Sequence, residues 1–348
     1  MKKRLEYVDA AKGIGMLLIV LGHISSSWGI ISNWGSYFKI SIFYVISGYM
    51  QFKSKKELCI AKKAKSILIP YVFFSVISLI IILGKSLIRK DDFNYLVIQI
   101  IKTISFRGIG TLWFFPSLFI AILLHKAFLK SRIVKPLLLV IIPMTLIIAS
   151  GIVSFKMHVD ISFRYFLFCV VITLVKGIVA YWFYEMSYLL LDKISNKDKR
   201  NINVLTALIT FFICSLCTVM IKESDIDFNN VSFGIHPSLF FAFGIIIPFD
   251  IIICFEKLRF HCKPLQYIGE NSLFIMCTHL TLYIVPIVSK LVKIIIDRIW
   301  LPEKAEYLVF VLISLFCVFM IEMLMIKAWN KIKPYLIKHK AICFCRYI

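Results

Sequence analysis

The sequence predicts an all-α membrane protein, a polytopic bundle of transmembrane helices. Three observations carry this prediction: 60% of the 348 residues are hydrophobic, only 17% are charged, and the apolar residues fall into runs long enough to cross a bilayer. A soluble domain of this length cannot bury so much apolar surface. We therefore expect one transmembrane domain over residues 1–348, with its core motifs between residues 4 and 330.

Ten apolar runs have the length of a membrane-spanning helix, about 17 to 25 residues. Prolines inside or beside some runs fit a bundle, because neighbouring groups re-satisfy the freed backbone. The predicted spans are 11–27, 36–52, 66–84, 112–129, 136–153, 163–183, 203–221, 236–255, 267–287 and 306–327. The long connection 85–111 carries five basic residues and has room for an interfacial or re-entrant piece, so eight or eleven spans remain open alternatives.

Basic residues set the predicted orientation of these spans. If the N-terminus is cytoplasmic, most of the 41 lysines and arginines lie in inner segments. Because lysine and arginine are enriched in cytoplasmic loops, this asymmetry predicts that both termini are cytoplasmic and that the helix number is even. The same rule explains the formal charge of +22, since the basic residues form short clusters between apolar runs. We expect membrane lipid, and no nucleic acid, around this chain.

The ten cysteines are scattered through apolar segments, and their spacing predicts neither a metal site nor a disulfide framework. Cys343 and Cys345 form a close pair near the end of the chain, and we expect no zinc site there. We interpret the cysteines as small residues of the membrane core.

The first apolar run is unusual because Asp9 and Lys12 stand at its start and His23 lies deep inside it. A charged Asp or Lys in hydrocarbon costs roughly 2.5 to 3.5 kcal/mol on insertion scales, so such residues are functional candidates by default. The spacing between Lys12 and His23 places both on nearly the same helix face, about 16 Å apart along the axis. Asp9 lies near that face as well.

His279, in the ninth predicted span, is the partner candidate of His23. Both helices run outward in the predicted topology, and residue counting places both imidazoles roughly 16 to 18 Å from the cytoplasmic edge. A lone membrane histidine often only hydrogen-bonds a neighbouring helix. Two histidines at matching depth, one of them aligned with Asp9 and Lys12, favour proton transfer, which suits a side chain with an ordinary pKa of about 6.5.

Two further features have both a structural and a functional interpretation. Ser47 and Gly48 near the end of the second span fit close helix packing. Lys62, Lys63 and Lys65 belong to a basic stretch that either marks topology and attracts anionic lipid, or holds the phosphates of a donor such as a coenzyme A nucleotide. Composition alone favours the structural interpretation of this stretch.

Two aromatic residues near the predicted fourth span are expected at the membrane boundary. Trp113 follows the glycine pair Gly108-x-Gly110 and fits an interfacial belt. The glycine pair itself is not a dinucleotide fingerprint, since neither a strand nor a third glycine accompanies it. His125, near the other end of this run, is expected to be interfacial or solvated.

Together these motifs resemble the acyltransferase 3 family of integral-membrane acyltransferases, many of which O-acetylate bacterial surface polysaccharides. No single motif is diagnostic, but the set occurs in order and at family-like spacing over essentially the whole chain. The motifs are Asp9-x-x-Lys12-Gly13 with His23, Ser47-Gly48-Tyr49, the basic run before Ile69-Pro70-Tyr71, Leu112-Trp113-Phe114-Phe115, and Gly269-x-Asn271-Ser272-Leu273 with His279.

The resemblance implies a ten-helix domain that takes an acyl group from acyl coenzyme A on the cytoplasmic side and delivers it to a glycan hydroxyl. The functional Arg and His of the family fall on Lys12 and His23. Lysine in place of the commoner arginine is a departure, because an arginine fork binds phosphate or carboxylate bidentately whereas lysine is a compact point charge. Lys62, Lys63 and Lys65 likewise stand where the family has arginines.

We therefore expect a multi-pass O-acetyltransferase of the bacterial cytoplasmic membrane that uses acetyl-CoA, with no permanently bound cofactor, and modifies a saccharide or lipid-linked saccharide. His23 accepts or relays the hydroxyl proton, and Asp9 orients Lys12. The remaining candidates divide by role. The expected catalytic residues are His23, Asp9, Lys12 and His279. The donor is held by Ser47, Lys62, Lys63 and Lys65 together with Lys12. The acyl group or acceptor is positioned by Asn271, Ser272 and Trp113, and His279 shares with Asn271 and Ser272 the positioning of the acyl group or the stabilisation of the developing oxyanion.

Two alternatives share this sequence pattern. A glycan or lipid-linked precursor transporter would also need polar groups at mid-membrane, although the sequence has no repeated half with paired broken helices. A membrane-bound acyltransferase acting on a lipid or a small amino sugar would share the donor chemistry. In every case the exterior loops 25–36 and 223–235 are expected to set specificity for the acceptor.

Overall fold

The computed structural model describes most of the chain. The described residues are 5–24, 29–54, 57–89, 93–129, 131, 134–152, 161–196, 204–221, 226–234, 236–299 and 302–338. Within these ranges the chain is almost entirely helical, which confirms the predicted all-α class. Its two described strands have two residues each and form one antiparallel hairpin.

The helices follow one another along the chain with short connections. The first seven are α1 (Glu6–Ile24), α2 (Gly29–Ser36), α3 (Ser41–Ser54), α4 (Ile60–Arg89), α5 (Asn94–Ile104), α6 (Phe114–Phe128) and α7 (Val134–Ile152). Then come α8 (Phe163–Asn196), α9 (Val204–Met220), β1 (Ile226–Asp227), β2 (Ser232–Phe233), α10 (Pro237–Lys257), α11 (Lys263–Glu270), α12 (Ser272–Thr278), α13 (Ile284–Ile296) and α14 (Glu303–Lys338).

Five of the described helices, α1, α4, α8, α10 and α14, are long and apolar enough to cross a membrane. Shorter apolar helices occupy 114–128, 136–146 and 204–220. Each of these helices coincides with one of the predicted spans, since an apolar run of sufficient length forms a helix in hydrocarbon to satisfy its own backbone.

Side-chain contacts group the predicted inner segments at one end of the bundle, which we call the N-terminal end because α1 begins there. Lys53 Nζ lies 3.1 Å from Glu256 Oε1, and Lys126 Nζ lies 2.9 Å from Glu57 Oε1. Tyr7 at the start of α1 donates a 3.1 Å hydrogen bond to Glu256 as well. These contacts bring the predicted inner segments around Lys53, Lys126 and Glu256 to the end where α1 begins. The grouping of the other inner segments and the cytoplasmic location of this end stay predictions.

Two breaks interrupt the helices. One of them lies inside a predicted span, so the prediction of one continuous ninth helix over 267–287 was wrong; the other lies in the predicted connection 85–111 and the first two residues of the fourth span. Residues 279–283, the second break, separate α12 from α13 and end at Tyr283 with φ 60°. Residues 105–113, the first break, separate α5 from α6 and contain three residues with positive φ, at Phe106, Gly108 and Gly110. Left-handed backbone of this kind ends a helix although the surrounding sequence stays apolar.

The long connection 85–111 contains the helix α5, whose C-terminal end packs against α4, and whether this helix is re-entrant or interfacial stays a prediction. Tyr71 on α4 donates a 2.7 Å hydrogen bond to the carbonyl oxygen of Thr103, and its ring stacks on Phe106. Tyr71 lies eleven residues after Ile60, the first residue of α4, which is about 16 Å along that helix. The end of α5 and the first break therefore lie level with the middle of α4.

Glycines allow two pairs of helices to approach closely. A Cβ atom on Gly13 of α1 would overlap the carbonyl oxygen of Leu265 on α11, and one on Gly269 would overlap the carbonyl oxygen of Asp9. A Cβ on Gly48 of α3 would overlap the carbonyl oxygen of Tyr184 on α8. The packing interpretation of Gly48 is therefore confirmed.

His125 is buried, so the expectation of an interfacial or solvated side chain was wrong. Its side chain is 1% exposed, and Nδ1 lies 2.6 Å from Oε2 of the fully buried Glu185. Helix α6 lies along α8 over much of its length, and Glu185 supplies a polar partner inside this interface. The next residue, Lys126, is the one that reaches Glu57 at the N-terminal end.

Candidate active site

A cavity of about 360 Å³ lies where the end of α1, both breaks and the hairpin meet. Its wall combines ionisable and polar groups with aromatic rings. The residues that line it include His23, Lys39, Thr111, Trp113, Phe114, Asp227, Phe228, Asn229, Met276 and Leu280. Non-helical backbone at the level of a membrane is tolerated where it is buried or lines a cavity, which is the situation of both breaks.

His23 lines this cavity with an exposed side chain. His23 lies in the last turn of α1, which begins at Glu6 and ends at Ile24, and so it is not midway along its helix. The helix thus carries Asp9 and Lys12 near its first turns and presents His23 at its far end.

His279 lies beside His23, with the two ring centroids 5.4 Å apart. The matching depth predicted for the two imidazoles is therefore confirmed. His279 is fully buried, and its Nδ1 lies 2.6 Å from the carbonyl oxygen of Ile275. Because a carbonyl oxygen only accepts, Nδ1 carries the hydrogen, and Nε2 of the neutral ring is a lone-pair acceptor. Within the described part of the chain, Nε2 is buried without a hydrogen-bond partner.

The two breaks contact each other and form one wall of the cavity. Thr111 donates a 2.6 Å hydrogen bond to the carbonyl oxygen of Met276. A Cβ on Gly110 would lie 3.5 Å from the Cβ of Leu280, which is ordinary contact distance. The sequence shows no paired broken helices, yet the structure places two interrupted segments face to face here.

Trp113 is part of this wall, so the prediction of an interfacial belt position was wrong. Its side chain is buried and stacks on Phe228 of the hairpin, with centroids 5.5 Å apart and planes at 14°. Lys176 Nζ lies 4.8 Å from the centroid of the indole. The glycine turn is responsible, because at Gly108, with φ 78°, a Cβ would overlap the backbone nitrogen of Trp113.

Lys39 and Asp227 are cavity residues that the sequence analysis does not single out. Both side chains line the cavity, and Lys39 is half-buried. Lys39 falls inside the predicted span 36–52, so the criterion that singles out Lys12, an ionisable residue in an apolar run, also applies to it. Asp227 lies in the loop 223–235, which is expected to contact the acceptor.

Lys12 and Asp9 form a separate pair away from the cavity. Lys12 Nζ lies 3.2 Å from Asp9 Oδ1, as their alignment on one face predicts. Eleven residues of helix, about 16 Å, separate Lys12 from His23 along α1. Lys62, Lys63 and Lys65 are exposed at the start of α4, and in the described ranges no contact joins them to Lys12.

The remaining predicted residues use their polar groups locally. Ser47 donates a 2.7 Å hydrogen bond to the carbonyl oxygen of Phe43 within α3. Asn271 donates a 2.8 Å hydrogen bond to the carbonyl oxygen of Tyr267, and Ser272 begins α12. The structure therefore brings together His23, His279 and Trp113, and it holds the other candidates apart from them.

This arrangement has the elements of proton-transfer chemistry. An imidazole exposed to the cavity stands beside a buried imidazole whose lone pair is free, and an ammonium group shares the same wall. A proton taken up from a hydroxyl at His23 would meet an acceptor next to it, which lowers the cost of the charge that develops there.

The comparisons with known proteins agree with this chemistry. A family model described as an acyltransferase domain matches residues 5–325, nearly the whole chain. Neither a curated protein nor a solved structure matches it.

Proposed function

Because the chain belongs to the acyltransferase 3 family, we propose that it is a membrane O-acetyltransferase. It takes an acetyl group from acetyl-CoA and transfers it to a hydroxyl of a saccharide or lipid-linked saccharide at the bacterial cytoplasmic membrane. The observation that carries this proposal is the pair of imidazoles, 5.4 Å apart, in the wall of the cavity.

His23 acts as the general base in this proposal. It removes the proton of the acceptor hydroxyl as the oxygen attacks the thioester carbonyl. The new C–O bond forms, the C–S bond breaks, and the proton passes to the leaving thiolate to give free coenzyme A. His279, with its hydrogen fixed on Nδ1, presents Nε2 to His23 and shares the charge that develops on it.

The N-terminal end of the bundle holds the donor nucleotide in this proposal. Lys12, oriented by Asp9, and the exposed lysines at the start of α4 supply positive charge for its phosphates. A coenzyme A thioester carries its acyl group on a long flexible pantetheine arm. That arm accounts for the separation of about 16 Å between Lys12 and His23.

Substitution of His23 tests the proposal. The full-length protein, purified in lipid nanodiscs, is incubated with labelled acetyl-CoA and a panel of oligosaccharides. We expect label transfer by the wild type and a loss of roughly hundredfold or more in His23→Ala, the usual scale of general-base catalysis. His261→Ala, an exposed histidine next to Glu6 at the N-terminal end, is the matched control. Undiminished transfer by His23→Ala contradicts the assignment of the base.

A further inference from the structure

Lys39 places an ammonium group beside His23 that the proposed transfer does not use. It lies in the turn between α2 and α3 and lines the cavity. A Cβ built on Gly22 would lie 3.1 Å from Lys39 Nζ, so the ammonium group lies over the last turn of α1, next to His23. Among the described residues, no hydrogen bond or ion pair reaches this nitrogen.

Asp227 is the carboxylate that lines the cavity together with Lys39, and its oxygens are already engaged. Oδ1 accepts a 3.0 Å hydrogen bond from the backbone nitrogen of Asn229, and Oδ2 accepts one of 2.6 Å from the side chain of Asn230. Asp227 thus holds the turn of the hairpin. Its charge compensates the ammonium group without forming a close pair with it.

Further positive charge lies behind the hairpin. Lys176 is fully buried and donates a 3.1 Å hydrogen bond to Oδ1 of Asn229. Arg107 is 8% exposed and donates a 2.7 Å hydrogen bond to Oδ1 of Asn230. Its second terminal nitrogen, Nη1, is buried without a partner in the described part of the chain.

The balance of charge around the hairpin is therefore positive. Lys39 lines the cavity with Asp227, while Arg107 and Lys176 contact Asn230 and Asn229 of the same hairpin. The described hydrogen bonds and ion pairs of these three cations include no carboxylate. Buried cations without full compensation are costly, and an anion placed among them is stabilised more strongly than it would be in water.

We infer that the cavity takes an acceptor that carries an anionic group, a carboxylate or a phosphate on the saccharide, and that Lys39 binds this group. The inference rests on the proposed function, whose acceptor it assigns to a chemical class. An anion held at Lys39 lies next to His23, so a hydroxyl on the same or the adjoining sugar ring is brought to the imidazole. Lys39 is thus a residue that selects the acceptor by charge.

The test compares two forms of one probe. Binding of tritiated digalacturonic acid and of its neutral methyl ester to the full-length protein in nanodiscs is measured by equilibrium dialysis without acetyl-CoA. We expect the wild type to bind the acid at least about tenfold more tightly than the ester, which is the scale of one charge-assisted hydrogen bond. Raising the salt concentration should reduce this preference.

Two substitutions at Lys39 and one control locate the anion. Lys39→Met should abolish the preference for the acid, and Lys39→Arg should retain it. Lys290→Met removes an exposed lysine on α13 and should leave the preference unchanged. Digalactose phosphate as a third probe distinguishes the two sources of charge, since tighter binding of the phosphate points to a phosphorylated or lipid-linked saccharide and tighter binding of the acid points to a uronic acid.

Equal binding of the acid and the ester by the wild type overturns the inference without any variant. A preference for the acid that survives in Lys39→Met overturns the inference as well. It is also overturned if, in a separate binding measurement, Lys39→Met loses affinity for acetyl-CoA while its affinity for the acid is unchanged. The proposed function fails separately. If the acid is preferred but no label is transferred, the anion site stands and the transferase does not, whereas equal transfer to acid and ester supports the transferase and removes the anion site.

Discussion

Thr111 donates its hydroxyl hydrogen to the carbonyl oxygen of Met276 at 2.6 Å, and this bond joins the first break to the segment that leads into His279. Thr111 is buried, and a carbonyl near the end of α12 has no following helical turn to donate to it. A side chain from a different part of the sequence thus helps to fix the position of His279 relative to Trp113 and His23.

Thr111→Val tests this dependence. Valine keeps the shape of the side chain but leaves the Met276 carbonyl without its donor, so we expect a loss of about 1 to 3 kcal/mol in the free energy of unfolding, together with reduced transfer. Thr145→Val is the control, since Thr145 only donates back to Ile142 within its own helix. Thermal unfolding in detergent and label transfer measure the two effects. Equal melting temperatures for the two variants would show that the bond does not hold the breaks together.

His279→Asn separates the structural from the chemical role of His279. The asparagine amide can still donate to the carbonyl oxygen of Ile275, as Nδ1 does, but no atom replaces Nε2. We expect a folded protein in which acetyl transfer falls by roughly tenfold or more. Cys277→Ala removes a neighbouring buried side chain without removing a proton acceptor, and it should stay close to the wild type. Wild-type turnover in His279→Asn would exclude a role for Nε2.

Gly13→Ala is expected to destabilise the contact between α1 and α11. The added methyl group would overlap the Leu265 carbonyl oxygen, a backbone atom that cannot turn aside, so we expect a loss of about 1 to 3 kcal/mol or more. Gly84→Ala is the control, because it makes the same substitution inside another helix, α4, where the added methyl group meets nothing within 4 Å. It should leave the melting temperature unchanged or raise it, because alanine favours a helix over glycine by about 1 kcal/mol. Equal melting of the two variants would contradict close packing at Gly13.

Lys12 is expected to act on the donor and not on the acceptor. Lys12→Met should raise KM for acetyl-CoA by roughly tenfold, the scale of a lost charge-assisted contact, with a smaller change in kcat. Lys12→Arg should remain close to the wild type, since a guanidinium group can also pair with Asp9. Steady-state kinetics with the wild type and Lys290→Met as references measure both. A raised KM for the saccharide alone would move Lys12 to the acceptor side.

The bundle and the proximity of the two histidines are predictable from the sequence because both follow from counting residues along apolar runs, although the ninth run is divided into α11 and α12 before His279. Apolar length fixes the helices, and equal counts from the inner edge bring His23 and His279 to one level. The spacing of Asp9 and Lys12 likewise predicts their contact. These features depend on local geometry alone.

The cavity wall is not predictable in this way, because it is built from interruptions and from loops. The run 267–287 stays apolar across Tyr283, so its composition does not mark the turn there, which is closed by a backbone hydrogen bond from Val285 to the carbonyl oxygen of His279. Tryptophan is the residue type expected in an interfacial belt, and only the glycine turn at Gly108 in the folded chain places Trp113 in the cavity wall. Lys39 is not singled out because the count of lysines and arginines that sets the orientation leaves out residues inside a predicted span.

The contact between His125 and Glu185 has a consequence for how the protein is made. An ionisable side chain such as His125 or Glu185 has a high free-energy cost in lipid when its helix is not paired with another. Helix α6 is also short, with only 15 residues. The two helices are separated in the sequence by α7, so this contact can form only after α8 has been synthesised. Variants of either residue are therefore expected to lower the yield of inserted protein, through degradation of chains whose helices never pair.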